Sequence, residues 1–253
     1  KYPEVKLKRL NWEGRFDDTF VLEPDDPMFK TIGNMFMEEQ IKTFGTDHFY
    51  GADTFNEMYP PSSDSTYLNG IGKAVYQSMA DVDSEAVWVM QGWMFHDKRS
   101  FWQPDQMKAY LGGVPDKGLI VLDLWGEEFP IWDRTEAFYG KQWIWCMLHN
   151  FGGRNMMYGN AAKLAAEPSR VLNDPSAGAL RGIGAVPEGI EQNPMIYSLL
   201  FDHVWRRDAI DLDSWLKNYA HSRYGVQDEN MERAWEILKQ TTYAHEGNYE
   251  SAI

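Results

Sequence analysis

Two glutamates stand where an apolar run breaks into a turn: Glu57 in "DTFNEMYPP" and Glu188 in "GAVPEGI". The backbone around each is restricted, by Pro60 and Pro61 after Glu57 and by Pro187 and Gly189 on either side of Glu188. Carboxyl groups from two strand ends are the minimum equipment for cleaving a glycosidic bond. One gives a proton to the leaving oxygen while the other attacks the anomeric carbon or activates water. Such a pair is not specific by itself, because the chain offers 38 acidic residues. Glu188 also reads as a carboxylate at the start of the helix near Asn193, where the helix dipole favours it.

Other chemistries lack their residues. The sequence has no GxxxxGK[ST] phosphate loop, no HExxH metal helix and no GxSxG nucleophile elbow. Its single SxxK match, Ser214 to Lys217, falls on a predicted helix with Trp215 and Leu216 and reads as chance. Gly182 and Gly184 begin a dinucleotide-type fingerprint, but Pro187 occupies the third glycine position. These two glycines are expected instead to let the last strand turn closely. Cys146 is the only cysteine, which excludes internal disulfides and CxxC zinc sites. Neither a metal nor a cofactor is expected.

The elements that must position the two acids repeat one pattern: a short apolar run, a polar or aromatic residue at its end, then a helical stretch. That is the pattern of parallel α/β structure. The predicted strands are "HFYGADTF" (48–55), "AVWVMQGW" (86–93), "LIVLDLW" (119–125), "WIWCMLHNF" (143–151) and "GIGAVP" (182–187). Their near-continuous apolar character points to coverage on both faces. Leu68, Ile71, Val75 and Met79 recur at helical spacing, and 104–111 and 155–166 are further helix candidates. Asn193 and Pro194 read as an N-cap and first-turn pair for a helix through Met195, Leu199 and Val204. After about residue 210, Leu212, Trp215, Leu216 and Tyr219, then Met231, Trp235 and Leu238, predict two helices with no strand between them.

The whole chain sets limits on these readings. At 253 residues it can hold one large domain or two small ones, and a (β/α)8 barrel is usually about this long. Hydrophobic residues at 43% and charged residues at 25% match an ordinary soluble globular protein, and no apolar run is long enough to span a bilayer. The stretch "KYPEVKLKRL" lacks the apolar centre of a signal peptide. A net charge of -14 argues against nucleic acid or an anionic membrane surface as partner, since both demand clustered Lys and Arg. The absence of an N-x-[ST] acceptor speaks against a eukaryotic secretory protein. The 11 tryptophans suit sugar binding by their flat amphipathic rings, although most must be core. Oligomeric state is not legible.

Together, "YGADTFNEMYPPSS", "VWVMQGWMF", "LIVLDLWGEE", "WIWCMLHNFGG" and "GAVPEGIEQNPMIYSL" resemble the family 89 glycoside hydrolases, the α-N-acetylglucosaminidases, from about residue 24 to about residue 243. The resemblance implies a (β/α)8 barrel of TIM type, here its later strands over residues 1–208, followed over 209–253 by the start of an all-helical domain. It implies that Glu57 of the NEM motif is the general acid/base and Glu188 of the PEG motif the nucleophile. Trp93, Leu124, Leu148 and Phe151 fall where the family lines its sugar pocket, and Asn56 would sit near the 2-acetamido group. The expected substrate is a glycan with terminal α-linked N-acetylglucosamine.

In such a substrate the acetamido group is cis to the leaving oxygen and cannot attack the anomeric carbon from behind, so the protein must supply its own nucleophile. A retaining double displacement follows, with carboxyl groups about 5–5.5 Å apart, against roughly 6.5–9.5 Å for inversion. Two carboxyls so close do not ionise together readily, so Glu57 would keep its proton while Glu188 stays ionised. Another retaining glycosidase acting on a differently substituted hexose, or a glycan-binding protein that no longer hydrolyses, are the alternatives. Family members are considerably longer, so the chain is expected to be a segment, inactive or unfolded when isolated. The expected compartment is extracytoplasmic: periplasmic, secreted or lysosomal.

Overall fold

The computed structural model describes residues 4–10, 12, 19–151, 157–189 and 193–244. An antiparallel pair, β1 (Leu7–Leu10) and β2 (Thr19–Leu22), is followed by helix α1 (Pro27–Phe44). The sheet that carries the acids then runs through β3 (Phe49–Gly51), β4 (Val87–Gln91), β5 (Leu119–Asp123), β6 (Gln142–Met147) and β7 (Leu180–Ala185), neighbours in that order. Phe49 pairs in parallel with Val87, and Trp88 with Leu119. All five strands expected from the apolar runs are present, so the count that puts Glu188 after the fifth of them stands. In β4, Trp88 and Met90 are buried and Val87 and Val89 half-buried, as a strand covered on both faces requires.

The hairpin and α1 were not read from the sequence. Only Met37 of α1 is buried, while Ile32, Met35, Phe36 and Phe44 are exposed, so its apolar residues form no single stripe. Its start is fixed locally: Asp26 accepts from the backbone N–H groups of Met28 (2.8 Å) and Lys6 (2.7 Å), and Pro27 opens the first turn.

The chain divides into two compact units. The first comprises Lys1–Leu124, Phe129–Ile144 and Gly178–Arg181. Here Asp64 caps α2 (Ser65–Ala80) by accepting from the Tyr67 N–H at 2.9 Å. A short helix, α3 (Trp93–Asp97), leads to α4 (Pro104–Leu111), which packs closely on α2. Two glycines permit that approach: a Cβ on Gly72 would lie 2.3 Å from the Tyr110 carbonyl oxygen, and one on Gly113 2.3 Å from that of Asn69. Fully buried Trp102 centres the core, with ring centroids 5.2 Å from Phe95, 5.4 Å from Tyr110 and 6.4 Å from Phe55. Residues 136–139 form one left-handed turn, all with positive φ and none a glycine, capped by Thr135 accepting from the Phe138 N–H at 3.1 Å.

The second unit comprises Trp125–Glu128, Trp145–Ala177 and Gly182–Ile253. Its first helix, α5 (Ala161–Leu172), starts at the Asn160 cap and runs past the expected end at 166; positions 155 and 156 of the expected helix lie outside the described residues. Pro168 inside it removes the hydrogen bond to the Leu164 carbonyl, and His203 Nε2 takes that carbonyl at 2.8 Å. Helix α6 (Pro194–Asp202) begins where Asn193 and Pro194 predict, yet the Asn193 side chain makes no capping bond. It donates instead to the Tyr158 carbonyl (3.1 Å) and accepts from the Tyr243 hydroxyl (3.0 Å). The all-helical end consists of α7 (Leu212–Tyr224) and α8 (Glu229–Gln240), joined through Trp215, Tyr219, Trp235 and Tyr243. Ser214 of the SxxK match is bonded to the Asp211 cap and Lys217 pairs with Glu232. Among the described residues no helix is long and apolar enough to cross a membrane.

Gly72→Ala should test the close approach of α2 and α4. The added methyl meets backbone, which cannot rotate away, so a loss of roughly 1–3 kcal/mol is expected by denaturant unfolding. Unchanged stability would contradict this account of the contact.

Candidate active site

In the first unit the segment after β3 is tied down residue by residue. The Trp88 Nε1–H donates to the Ala52 carbonyl (2.7 Å), and Asp53 accepts from the Gln91 N–H (3.3 Å). The Thr54 hydroxyl meets that of Tyr110 at 2.8 Å, and Phe55 is buried against Trp102. The Met58 N–H then returns to the Phe55 carbonyl at 2.7 Å, closing a tight turn in which Asn56 has φ +43°. Asparagine tolerates this left-handed conformation better than most residues. The turn sets Asn56 and Glu57, both half-exposed, between buried Phe55 and buried Pro60.

Past β4, a Cβ on Gly92 would lie 2.8 Å from the Leu122 carbonyl oxygen, and half-exposed Trp93 follows at the start of α3. Its ring lies 5.1 Å from that of His96, which lies 4.9 Å from Phe129. Burial lowers the pKa of His96 and favours its neutral form. Past β5, Leu124 is buried directly after Asp123. Asp123 is fully buried and accepts from the N–H groups of Ile131 (3.0 Å) and Trp132 (3.0 Å). Burial pushes its carboxyl up to about 7 against the opposing effect of those donors.

In the second unit, residues 125–128 pack along the end of β6. Trp125 meets Phe151 edge-on at 5.2 Å, and the Gly126 N–H donates to the Cys146 carbonyl at 2.8 Å. Buried Glu127 accepts from the Leu148 N–H (3.0 Å) and the His149 N–H (2.7 Å). Burial pushes Glu127 up to about 8, and pushes His149 down to about 4, so that this imidazole is neutral. His149 adopts φ +55° and stacks on Tyr158 at 4.5 Å.

The backbone past β7 is hydrogen-bonded to this segment. Val186 N–H donates to the Met147 carbonyl (3.0 Å), and the N–H groups of Glu188 (2.8 Å) and Gly189 (3.3 Å) both donate to the Asn150 carbonyl. A Cβ on Gly189 would lie 1.9 Å from Asn150 Oδ1, so any larger residue there must displace the Asn150 side chain. A Cβ on Gly182 would meet open space, so the expected close approach is made at Gly189 and not at Gly182. Pro187 and Glu188 themselves are exposed.

Of the seven expected site residues, Asn56, Glu57, Trp93 and Leu124 therefore follow β3, β4 and β5 in the first unit, and Leu148, Phe151 and Glu188 follow β6 and β7 in the second. Asp123 and Glu127 were missed, although Asp123 interrupts and Glu127 closely follows the apolar run in "LIVLDLWGEE". An acid inside a run that must be buried is the available signal.

A family profile described as the alpha-N-acetylglucosaminidase (NAGLU) tim-barrel domain matches residues 1–207, and the profile of the C-terminal domain of the same family matches residues 215–253. The human protein named alpha-N-acetylglucosaminidase is 44% identical over 247 residues, which cover 96% of this chain and 33% of the human one. A family 89 glycoside hydrolase from Clostridium perfringens in complex with PUGNAc is 33% identical, with a TM-score of 0.83. A form from the same organism with two Glu-to-Gln replacements, in complex with its substrate GlcNAc-alpha-1,4-galactose, is 31% identical with a TM-score of 0.84. Both bacterial matches cover 98% of this chain and 27% of the other. The chain thus spans about a third of its human relative and about a quarter of the bacterial ones.

The buried acids give the protein a measurable pH dependence. With its pKa raised to about 7, Asp123 keeps a proton in the folded state that the unfolded state releases, between pH about 4 and about 7. Its contribution to stability is therefore present at low pH and lost as pH rises through that window. Asp123→Asn should flatten the slope of unfolding free energy by up to about 1.4 kcal/mol per pH unit there. An unaltered slope in chemical denaturation across that range would show that Asp123 is ionised throughout.

Proposed function

Since the chain belongs to the α-N-acetylglucosaminidase family, glycoside hydrolase family 89, we propose that Glu57 and Glu188 are the catalytic pair of a retaining enzyme that releases terminal non-reducing α-linked N-acetylglucosamine from glycans. The observation that carries this reading is how the strand-end acids divide. Asp123 and Glu127 are buried and accept backbone N–H groups, while Glu188 is exposed and Glu57 half-exposed on the turn that follows β3. The substrate bound by the doubly Glu-to-Gln bacterial relative supports the sugar and the anomer.

On this reading Glu57 protonates the glycosidic oxygen while Glu188 attacks the anomeric carbon, forming a glycosyl ester with its carboxylate and expelling the aglycone alcohol. Glu57, now ionised, takes a proton from water as the water attacks the same carbon, and Glu188 leaves as a carboxylate. The motifs assign Trp93, Leu124, Leu148 and Phe151 to the apolar lining of the sugar site and Asn56, beside the acid/base, to the 2-acetamido group. The chemistry uses neither metal nor cofactor. The barrel segment ends near residue 208 and the helical domain begins at 209, and the compartment of action is extracytoplasmic. The net charge of -14 fits a neutral glycan rather than a nucleic acid.

Kinetics of the full-length protein test the pair. Hydrolysis of p-nitrophenyl α-N-acetylglucosaminide should far exceed that of the β-anomer and of the α-glucoside, and Glu188→Gln should lower kcat by on the order of 10³-fold or more. Glu57→Ala should lower kcat/KM roughly 10²–10⁴-fold on an unactivated disaccharide and much less on the p-nitrophenyl glycoside, whose leaving group needs no proton. Equal losses on both substrates would remove Glu57 from the acid role, and an unchanged kcat in Glu188→Gln would reject the nucleophile.

A further inference from the structure

We infer that the buried Glu127 carboxyl is a positioning residue for Glu188, holding the 148–150 backbone onto which the PEG segment is hydrogen-bonded. The inference rests on the reading of Glu188 as nucleophile and adds a residue that no motif assigned. Strand β6 ends at Met147, so the N–H groups of Leu148 and His149 continue no ladder. Glu127 Oε1 accepts both, at 3.0 and 2.7 Å. Held there, the chain turns at His149 through φ +55°, a conformation that a non-glycine residue keeps only when its surroundings fix it. That turn aims the Asn150 carbonyl at the Glu188 and Gly189 N–H groups, 2.8 and 3.3 Å away. The Asn150 side chain, seated where a Gly189 Cβ would be, closes the same contact from the other side.

Glu127 does not touch substrate on this account. It is only 7% exposed, and its oxygens face the turn. Its effect reaches the reaction through about one ångström of placement at Glu188, and a misplacement of that size costs on the order of 10²-fold in rate.

The test uses the full-length enzyme and p-nitrophenyl α-N-acetylglucosaminide. Glu127→Asp withdraws the acceptor by one methylene and should lower kcat about 10- to 100-fold, with KM within about twofold of wild type. Glu127→Gln retains an oxygen able to accept both N–H groups and should recover most of the loss, to within about fivefold of wild type. A merely structural role would not split kcat from KM or distinguish the two variants in this order. If Glu127→Asp does not fold, Gly189→Ala breaks the same linkage at its far end and should show the same fall in kcat. Wild-type kcat in folded Glu127→Asp, or in Gly189→Ala, overturns the inference. Glu188→Gln measured alongside separates the two readings. An inactive Glu188→Gln beside an unimpaired Glu127→Asp rejects the positioning role alone, while an active Glu188→Gln rejects the nucleophile and the positioning role with it.

Discussion

Where a strand leaves its sheet, its next backbone N–H groups lose their ladder partners and still need acceptors. In this chain carboxyl groups supply them. Glu127 takes those of Leu148 and His149 directly past β6, Asp123 takes the N–H groups of Ile131 and Trp132 at the start of the helical turn that follows β5, and Asp53 takes that of Gln91, the last residue of β4. Burying an acid is costly, and the cost shows in the raised pKa values of Asp123 and Glu127. The return is a set of strand ends whose loops have one conformation. With Asp123 and Glu127 buried, the exposed and half-exposed acids at strand ends are those that can meet a ligand.

Close approach by glycine and proline does the rest of the shaping. Gly72 and Gly113 let α4 lie against the α2 backbone, and Gly189 leaves space for the Asn150 amide. Pro168 breaks one hydrogen bond of α5 and His203 replaces it, so the helix continues instead of ending. Asn193 shows the opposite outcome: a good capping residue whose side chain is drawn to Tyr158 and Tyr243. In both cases a tertiary partner overrides a local preference, and the partner lies far away in sequence.

That distance explains what could be read in advance. Strands β4, β5 and β6 were legible because buried parallel strands are near-continuously apolar, and α2 and α4 because their apolar residues fall on one face. The hairpin and α1 were not, since few of their apolar residues are buried and no periodic stripe marks them. Glu57 and Glu188 were legible from restricted backbone on either side, and their roles from long motifs. Asp123 and Glu127 were legible only as acids beside an apolar run, and not as backbone acceptors, because that role depends on which N–H groups the fold brings within about 3 Å. Gly189 was read as restricting the backbone beside Glu188, and the structure adds that its missing side chain leaves space for the Asn150 amide.

On the proposed reading Glu57 and Glu188 act as an acid/base and a nucleophile rather than as an acid and a base that activates water. The anomer first released distinguishes these alternatives directly, because double displacement keeps the configuration of the bond that is cut. Proton NMR of the full-length protein hydrolysing an α-N-acetylglucosaminide, recorded before mutarotation, should show the α-anomer of N-acetylglucosamine appearing first and the β-anomer growing in later. Initial appearance of the β-anomer would mean single displacement by water, and Glu188 would then not be a nucleophile.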